Sequence, residues 1–211
     1  MSLIAKGAEA DILRVDDWNG LSVVIKRRGA KKYRHPEIDR EIRRLRTARE
    51  AENLHRAKAA GVPTPVVYQV SGHDAEIVME YVEGEKVRDA VPRLGDDELR
   101  ELFHRIGALS GRLHGAGIIH GDLTTSNMIL SGDRVVFIDF GLGEVSMEVE
   151  KRGVDLQLMH RMLASTHYAK QGLLLDAFHA GYREKMGEEA GEALLRVEEI
   201  RRRGRYTEKE A

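Results

Sequence analysis

The stretch Ile118-Ile119-His120-Gly121-Asp122-Leu123-Thr124-Thr125-Ser126-Asn127-Met128-Ile129-Leu130 decides the fold of this chain. Two short apolar runs, fit to be buried strands, enclose a polar loop that holds Asp122 and Asn127. After a turn at Ser131-Gly132-Asp133 a third apolar run, Val135–Ile138, ends in Asp139-Phe140-Gly141. If the last two runs pair as a hairpin, Asp122, Asn127 and Asp139 come to one edge of a small sheet. Three oxygen-bearing side chains gathered there suit a hard divalent cation and an attacking hydroxyl or water, as phosphoryl transfer requires.

The joint pattern H-x-D-x4-N followed by D-F-G resembles the signature of the protein-kinase superfamily. Upstream, Leu21–Ile25 reads as a buried strand ending at Lys26. A lysine there usually packs its stem and sends its amine to water, but kinases place their phosphate-orienting lysine on the third strand. Thr47-Ala48-Arg49-Glu50 matches a capping box, so Glu50 is either a capping carboxylate or the helix acid that pairs with Lys26. Glu52 and Glu41 are its substitutes in the second role.

The rest of the chain agrees with two lobes. Its 211 residues allow one large domain or two small lobes, and 42% hydrophobic content can build a core. There are no cysteines, which excludes disulfides and thiolate metal sites and fits a reducing interior. A net charge of −1 argues against a uniformly basic nucleic-acid binder. Met1–Ala10 lacks the apolar core of a signal peptide and no run reaches membrane-spanning length, so a soluble cytoplasmic protein is expected, without membrane contact.

In chain order, strands are expected at Ser2–Lys6, Ala10–Val15 and Leu21–Ile25, with a turn at Gly7-Ala8-Glu9. Pro36 opens a short helix with the stripe Ile38, Ile42 and Leu45, and a second helix runs from Thr47 to Ala60. Val66–Val70 and Ala75–Met79 read as a hairpin leading into Glu80-Tyr81-Val82, a hinge whose backbone could bond an adenine edge. Asp96 or Asp97 caps a helix carrying Leu99, Phe103, Ile106, Leu109 and Leu113, stopped by Gly115 and Gly117. Further helices are expected at Val154–Leu163, Leu173–Met186 and Glu188–Ile200, then a polar, mobile end. His120 reads as an internal brace of its loop.

The fold expected is α+β, a minimal bilobal kinase-like architecture. Residues 1–82 form a strand-rich N-lobe with one important helix, 83–205 a compact helical C-lobe, and 206–211 a polar tail. The cleft would take ATP and Mg2+, with Lys26 on the phosphates, Asn127 and Asp139 on the metal and Asp122 on the nucleophile. The nucleotide loop is Gly7, Ala8 and Glu9, and Glu80 and Val82 mark the hinge. Departures from ordinary protein kinases are plain. The loop has one glycine, Gly121 stands where an arginine reads a phosphorylated loop, Thr124 replaces a lysine, and no Ala-Pro-Glu follows.

At His120–Ile129 the chain resembles the small atypical kinase/ATPase subunit of the KEOPS complex, a relative of the RIO kinases. The resemblance extends to Gly7-Ala8-Glu9-Ala10, Arg46-Thr47, Glu50-Ala51, Gly61-Val62-Pro63, Met79-Glu80-Tyr81, Gly153-Val154-Asp155-Leu156 and the basic end Arg201–Arg205. It implies the same roles for Asp122, Asn127, Asp139, Lys26 and Glu50, and a loop-bracing role for Asp155. It also implies support of threonylcarbamoyladenosine formation on tRNA, through contact of the C-lobe with the threonylcarbamoyl-transferase subunit. Other KEOPS subunits are implied partners, and autophosphorylation on Ser/Thr accompanies ATP cleavage in such subunits. The segments Lys26–Arg34 and Arg196–Arg205 could meet tRNA phosphates or be solvated charged faces. Two alternatives share H-G-D-x4-N or the nucleotide site: a small-molecule phosphotransferase of the aminoglycoside or choline kinase type, and a mainly structural nucleotide-binding subunit.

Overall fold

The computed structural model describes residues 2–7 and 9–207; Ala8 of the expected nucleotide loop and residues 208–211 of the expected tail lie outside the described residues. The first strands are Ser2–Lys6 (β1), Asp11–Trp18 (β2) and Leu21–Arg27 (β3). The β2–β3 turn is made by Asn19 and Gly20, both in the left-handed region that such turns demand. One helix follows, Pro36–Ala59 (α1), then the hairpin Val67–Ser71 (β4) and Glu76–Glu80 (β5). These five strands form an antiparallel sheet in the order β1-β2-β3-β5-β4, with Lys26 opposite Ile12 on one side and Ile77 on the other.

The expectation of two helices between 36 and 60 is corrected to one, because nothing in the chain stops it. No glycine or proline occurs between Pro36 and Gly61. Thr47 caps nothing: its hydroxyl donates back to the Arg43 carbonyl at 2.8 Å, as a mid-helix threonine does. The expected stripe is corrected too, since Ile38 and Leu45 are exposed. The face that α1 buries is polar, with Asp39, Thr47, Glu50 and Asn53 beside Leu54 and Ala57. This helix is therefore held largely by ion pairs and hydrogen bonds over its first turns, and by apolar packing only near its end.

Glu85–Lys86 (β6), a short helix Val87–Ala90 (α2) and the long helix Asp96–Gly115 (α3) come next. Leu99, Phe103, Ile106, Leu109 and Leu113 of α3 are all buried, as their spacing predicts. Its cap is Gly95, one residue before the expected aspartates, and Glu98 accepts the Gly95 N–H at 2.8 Å. Then come Ile118–Ile119 (β7), Met128–Ser131 (β8), Arg134–Phe137 (β9) and Glu144–Val145 (β10). β8 and β9 make the expected hairpin, β6 joins its edge, and β7 pairs with β10.

Three helices finish the described chain: Val149–Thr166 (α4), Gln171–Met186 (α5) and Glu189–Thr207 (α6). α6 continues into the stretch expected to be mobile, as far as Thr207, and Arg196, Arg201 and Arg203 pair with Glu150, Glu198 or Glu199. α3 and α5 cross at glycines. A Cβ on Gly107 would stand 1.9 Å from the Phe178 carbonyl oxygen, and one on Gly181 1.8 Å from that of His104. Any side chain at either position would force the helices apart. Phe178 and Tyr182 pack beside this crossing into the core that carries the site.

Candidate active site

Lys26 leaves β3 buried, 6% exposed, with its Nζ 2.7 Å from Glu50 Oε1 and 2.7 Å from Asp139 Oδ1. The alternative of a strand-end lysine with its amine in water is thereby corrected, and so is Glu50 as a capping carboxylate. Glu50, fully buried on α1, lies between Lys26 and Arg28, whose Nη2 donates to its second oxygen. Isolated burial of any of these charges would be costly; as a set they satisfy one another. In the sequence Arg28 reads only as a member of the basic segment Lys26–Arg34, not as a partner of Glu50. Its signal was the two-residue spacing from Lys26, which returns a side chain to the same side of an extended backbone.

Asp139 carries a left-handed backbone, φ 61°, and a half-exposed side chain. Burial raises its pKa, but the charge and hydrogen bond of Lys26, with the Gly141 amide, overcome this and hold the carboxyl below its ordinary value. Asp139 is therefore an anion at neutral pH, available to a cation.

The loop after β7 is tied to this strand end on both sides. The Ile138 N–H donates to the Asn127 carbonyl at 2.9 Å, and His120 Nε2 donates to the Ile138 carbonyl at 3.1 Å. A carbonyl only accepts, so Nε2 carries the proton and Nδ1 is left to accept the Asp122 N–H at 3.3 Å. Burial of His120, whose ring packs tilted against Phe140 at 4.4 Å, lowers its pKa and keeps this neutral tautomer. The expected bracing role of His120 has this physical form. Asn127 Nδ2 donates to Asp122 Oδ2 at 2.7 Å and to the Asp122 carbonyl at 3.0 Å. Both amide hydrogens are thus used, and Oδ1 remains as the atom Asn127 can offer a metal.

Asp155 of α4, fully buried, accepts the N–H groups of His120 at 2.7 Å and Gly121 at 2.9 Å. His114 Nε2 lies 3.2 Å from the same carboxylate, and its Nδ1 lies 2.8 Å from the Tyr182 hydroxyl. Three helices, α3, α4 and α5, are so locked together behind the loop. His114 and Tyr182 were not foreseen as parts of this brace; only a helix-end histidine hinted at it. Gly121 has φ 80°, and a Cβ there would stand 2.3 Å from the Leu142 carbonyl oxygen, which leaves no room for the arginine of ordinary kinases.

The remaining expected residues sit nearby or apart. The Gly7 N–H bonds the Ala10 carbonyl across the β1–β2 turn, and Glu9 reaches Arg46 of α1 at 2.6 Å. At the hinge the Glu80 N–H bonds the Val66 carbonyl, and its carboxylate accepts the Val66 N–H. Val82 lies just beyond β5. In the basic segment Lys26–Arg34, the side chains of Lys26 and Arg28 are buried and pair with Glu50. Asn127 Oδ1 and the Asp139 carboxylate fit magnesium, which takes one or two protein oxygens and keeps its waters or phosphates. Among the described residues no cluster of three or more His, Cys, Asp or Glu could hold a metal by itself.

With this geometry in place, the comparisons with known proteins are specific. The RIO domain family matches residues 21–152. The KEOPS complex subunit Bud32 of Pyrococcus abyssi is 44% identical over 216 residues, covering 99% of this chain and 98% of that protein. The chain belongs to the Bud32 family of RIO-domain proteins. A probable bifunctional tRNA threonylcarbamoyladenosine biosynthesis protein of Methanothermobacter thermautotrophicus is 48% identical over 206 residues. The chain spans only 37% of the length of that bifunctional relative. The Rio2 kinase of Chaetomium thermophilum, solved as an ADP/Mg2+-phosphoaspartate complex, superposes with a TM-score of 0.64 at 20% identity, over 95% of this chain and 72% of that one. This likeness establishes the fold, which is α+β and kinase-like with two lobes, as the strand and motif order predicts. Among the described residues no helix is long and apolar enough to cross a membrane.

Proposed function

We propose that this chain is the Mg-ATP-dependent atypical kinase/ATPase of a KEOPS complex, acting beside the threonylcarbamoyl-transferase subunit in threonylcarbamoyladenosine formation on tRNA. The observation that carries the reading is Lys26 Nζ at 2.7 Å from both Glu50 and Asp139. Family membership supplies the setting. A nucleotide-cleaving centre of kinase descent needs a fixed lysine, a positioned acid and an ionised aspartate at one point, and these side chains meet there.

In this reading the lobes divide at residues 82 and 83, with the adenine at the Glu80–Val82 hinge and the phosphates under Gly7–Glu9. Lys26, held by Glu50, turns from Asp139 to a phosphate oxygen. Asn127 Oδ1 and Asp139 hold magnesium, which when bound neutralises charge at the transferring phosphoryl group. Asp122, oriented by the Asn127 amide, orients the attacking water or hydroxyl and accepts its proton. Gly121 removes the arginine contact to a phosphorylated loop, which favours a standing protein partner over peptide substrates. The C-lobe is the proposed face for the transferase subunit, and other KEOPS subunits are further partners.

The test is phosphate release from MgATP by the purified chain, alone and with the transferase subunit of its own complex. The expected result is slow turnover alone and at least about tenfold faster turnover in the complex. Turnover indifferent to the partner, together with ready phosphorylation of a sugar or amine, would instead identify a small-molecule phosphotransferase.

A further inference from the structure

Between the loop that follows β3 and the first half of α1 lies a cavity of about 300 Å³. Its wall carries Arg28, Lys31, Arg34, Arg43 and Arg46, with Glu9 as the one acid among its lining residues. Asp39 behind them is taken by Arg43 at 2.8 Å and Arg34 at 3.6 Å, and Glu50 takes Arg28. Even with both of those acids included, the cations outnumber the carboxylates around this space.

Two further observations point to a ligand. Arg28 is only 4% exposed, and its buried Nε has no hydrogen-bond partner. A buried guanidinium N–H left unmade is costly, and Arg28 is one of the residues that line the cavity. The second is Glu9 itself, which crosses from the β1–β2 loop to place its carboxylate on Arg46 while half exposed. A carboxylate of the chain itself therefore already pairs with one of the cations that line the cavity.

We propose that this cavity is a binding site for a phosphate group, with the Glu9 carboxylate on Arg46 as its internal competitor. Arginine forks match the oxygens of phosphate better than lysine ammoniums do, and four of the five cations are arginines. The phosphate can be free or part of an RNA backbone; exposed Tyr33 at the rim offers a stacking face to a neighbouring base. Because Glu9 lies in the β1–β2 loop, filling the cavity releases that loop from α1. The cavity lining does not include Lys26 or Asp139, although Arg28 shares Glu50 with Lys26 and Glu9 belongs to the proposed nucleotide loop.

The experiment is a titration of the isotope-labelled chain with inorganic phosphate, at ionic strength held constant with chloride, read from amide resonances. Saturable shifts are expected at Gly29, Lys31, Arg34 and Arg46. E9Q should bind phosphate about threefold more tightly through loss of the competing carboxylate, and R46Q about tenfold more weakly. A short single-stranded oligoribonucleotide that binds more tightly than phosphate at these amides identifies RNA as the source; equal or weaker binding identifies free phosphate. Unsaturable shifts, shifts confined to Lys26, Asn127 and Gly141, or an E9Q variant that binds no more tightly than wild type would overturn the proposal. Shifts confined to those three would still agree with the nucleotide reading, so the two fail separately.

Discussion

Replacing Asp139 by asparagine is expected to lower MgATP turnover by roughly three orders of magnitude while leaving the fold nearly as stable as before. Asparagine is the informative choice because Asp139 has φ 61°, a conformation asparagine adopts more readily than alanine. The substitution removes one negative charge where a divalent cation and the transferring phosphoryl would meet, so its effect falls on the transition state. The structural effect is small for two reasons. Asp139 is half exposed, and Lys26 retains Glu50 at 2.7 Å when its second partner is lost. Initial rates at saturating MgATP, with urea unfolding of the same preparation, separate the two effects. An asparagine variant that hydrolyses ATP at the wild-type rate would remove Asp139 from the site.

The second large effect is on stability and concerns Asp155. D155A leaves the buried N–H groups of His120 and Gly121 without an acceptor and strands His114, at an expected cost of about 3–5 kcal/mol. This is a positioning role, since Asp155 braces the loop that carries Asp122 from behind. Its pH dependence gives an independent check. Burial works to raise the Asp155 pKa, but the hydrogen bonds it accepts from the His114 side chain and the His120 N–H outweigh it and set the folded value below the ordinary 3.8. A carboxylate depressed on folding contributes its stability above its unfolded pKa and loses it as the pH falls through the folded one. The difference between wild type and D155A in urea should therefore be full at neutral pH and shrink below about pH 4. A difference constant down to pH 2 would mean that the ionised carboxylate is not what holds the loop.

Much of this site was legible because Lys26 and Asp139 stand at the ends of apolar runs and Asp122 and Asn127 lie between two others. Lys26 closes Leu21–Ile25 and Asp139 closes Val135–Ile138, and the β8–β9 hairpin sets Asp139 beside Asn127, while the meeting of Lys26 with Asp139 joins two separate sheets. The helix α1 was harder to read. A capping-box pattern at Thr47–Glu50 is short enough to occur inside a continuous helix, and only an interrupting glycine or proline would have made it a boundary. Its polar buried face also defeats a search for apolar stripes, because ion pairs to Arg28 and Lys26 bury Glu50 where leucine would be expected. The His114–Asp155–Tyr182 brace joins three helices through side chains 41 and 68 residues apart, which no local pattern encodes. The continuation of α6 to Thr207 escaped notice for a different reason: an Arg-rich end reads as solvated until its acidic partners, Glu150 among them, are placed.

The most direct test of the nucleotide site is a crystal structure of this chain with manganese and a non-hydrolysable ATP analogue, the metal located by its anomalous signal. The account predicts a metal about 2.1–2.2 Å from both an Asp139 carboxylate oxygen and Asn127 Oδ1, and Lys26 Nζ hydrogen-bonded to a phosphate oxygen. A metal bound away from Asp139, or a nucleotide whose phosphates lie beyond the reach of Lys26, would contradict it.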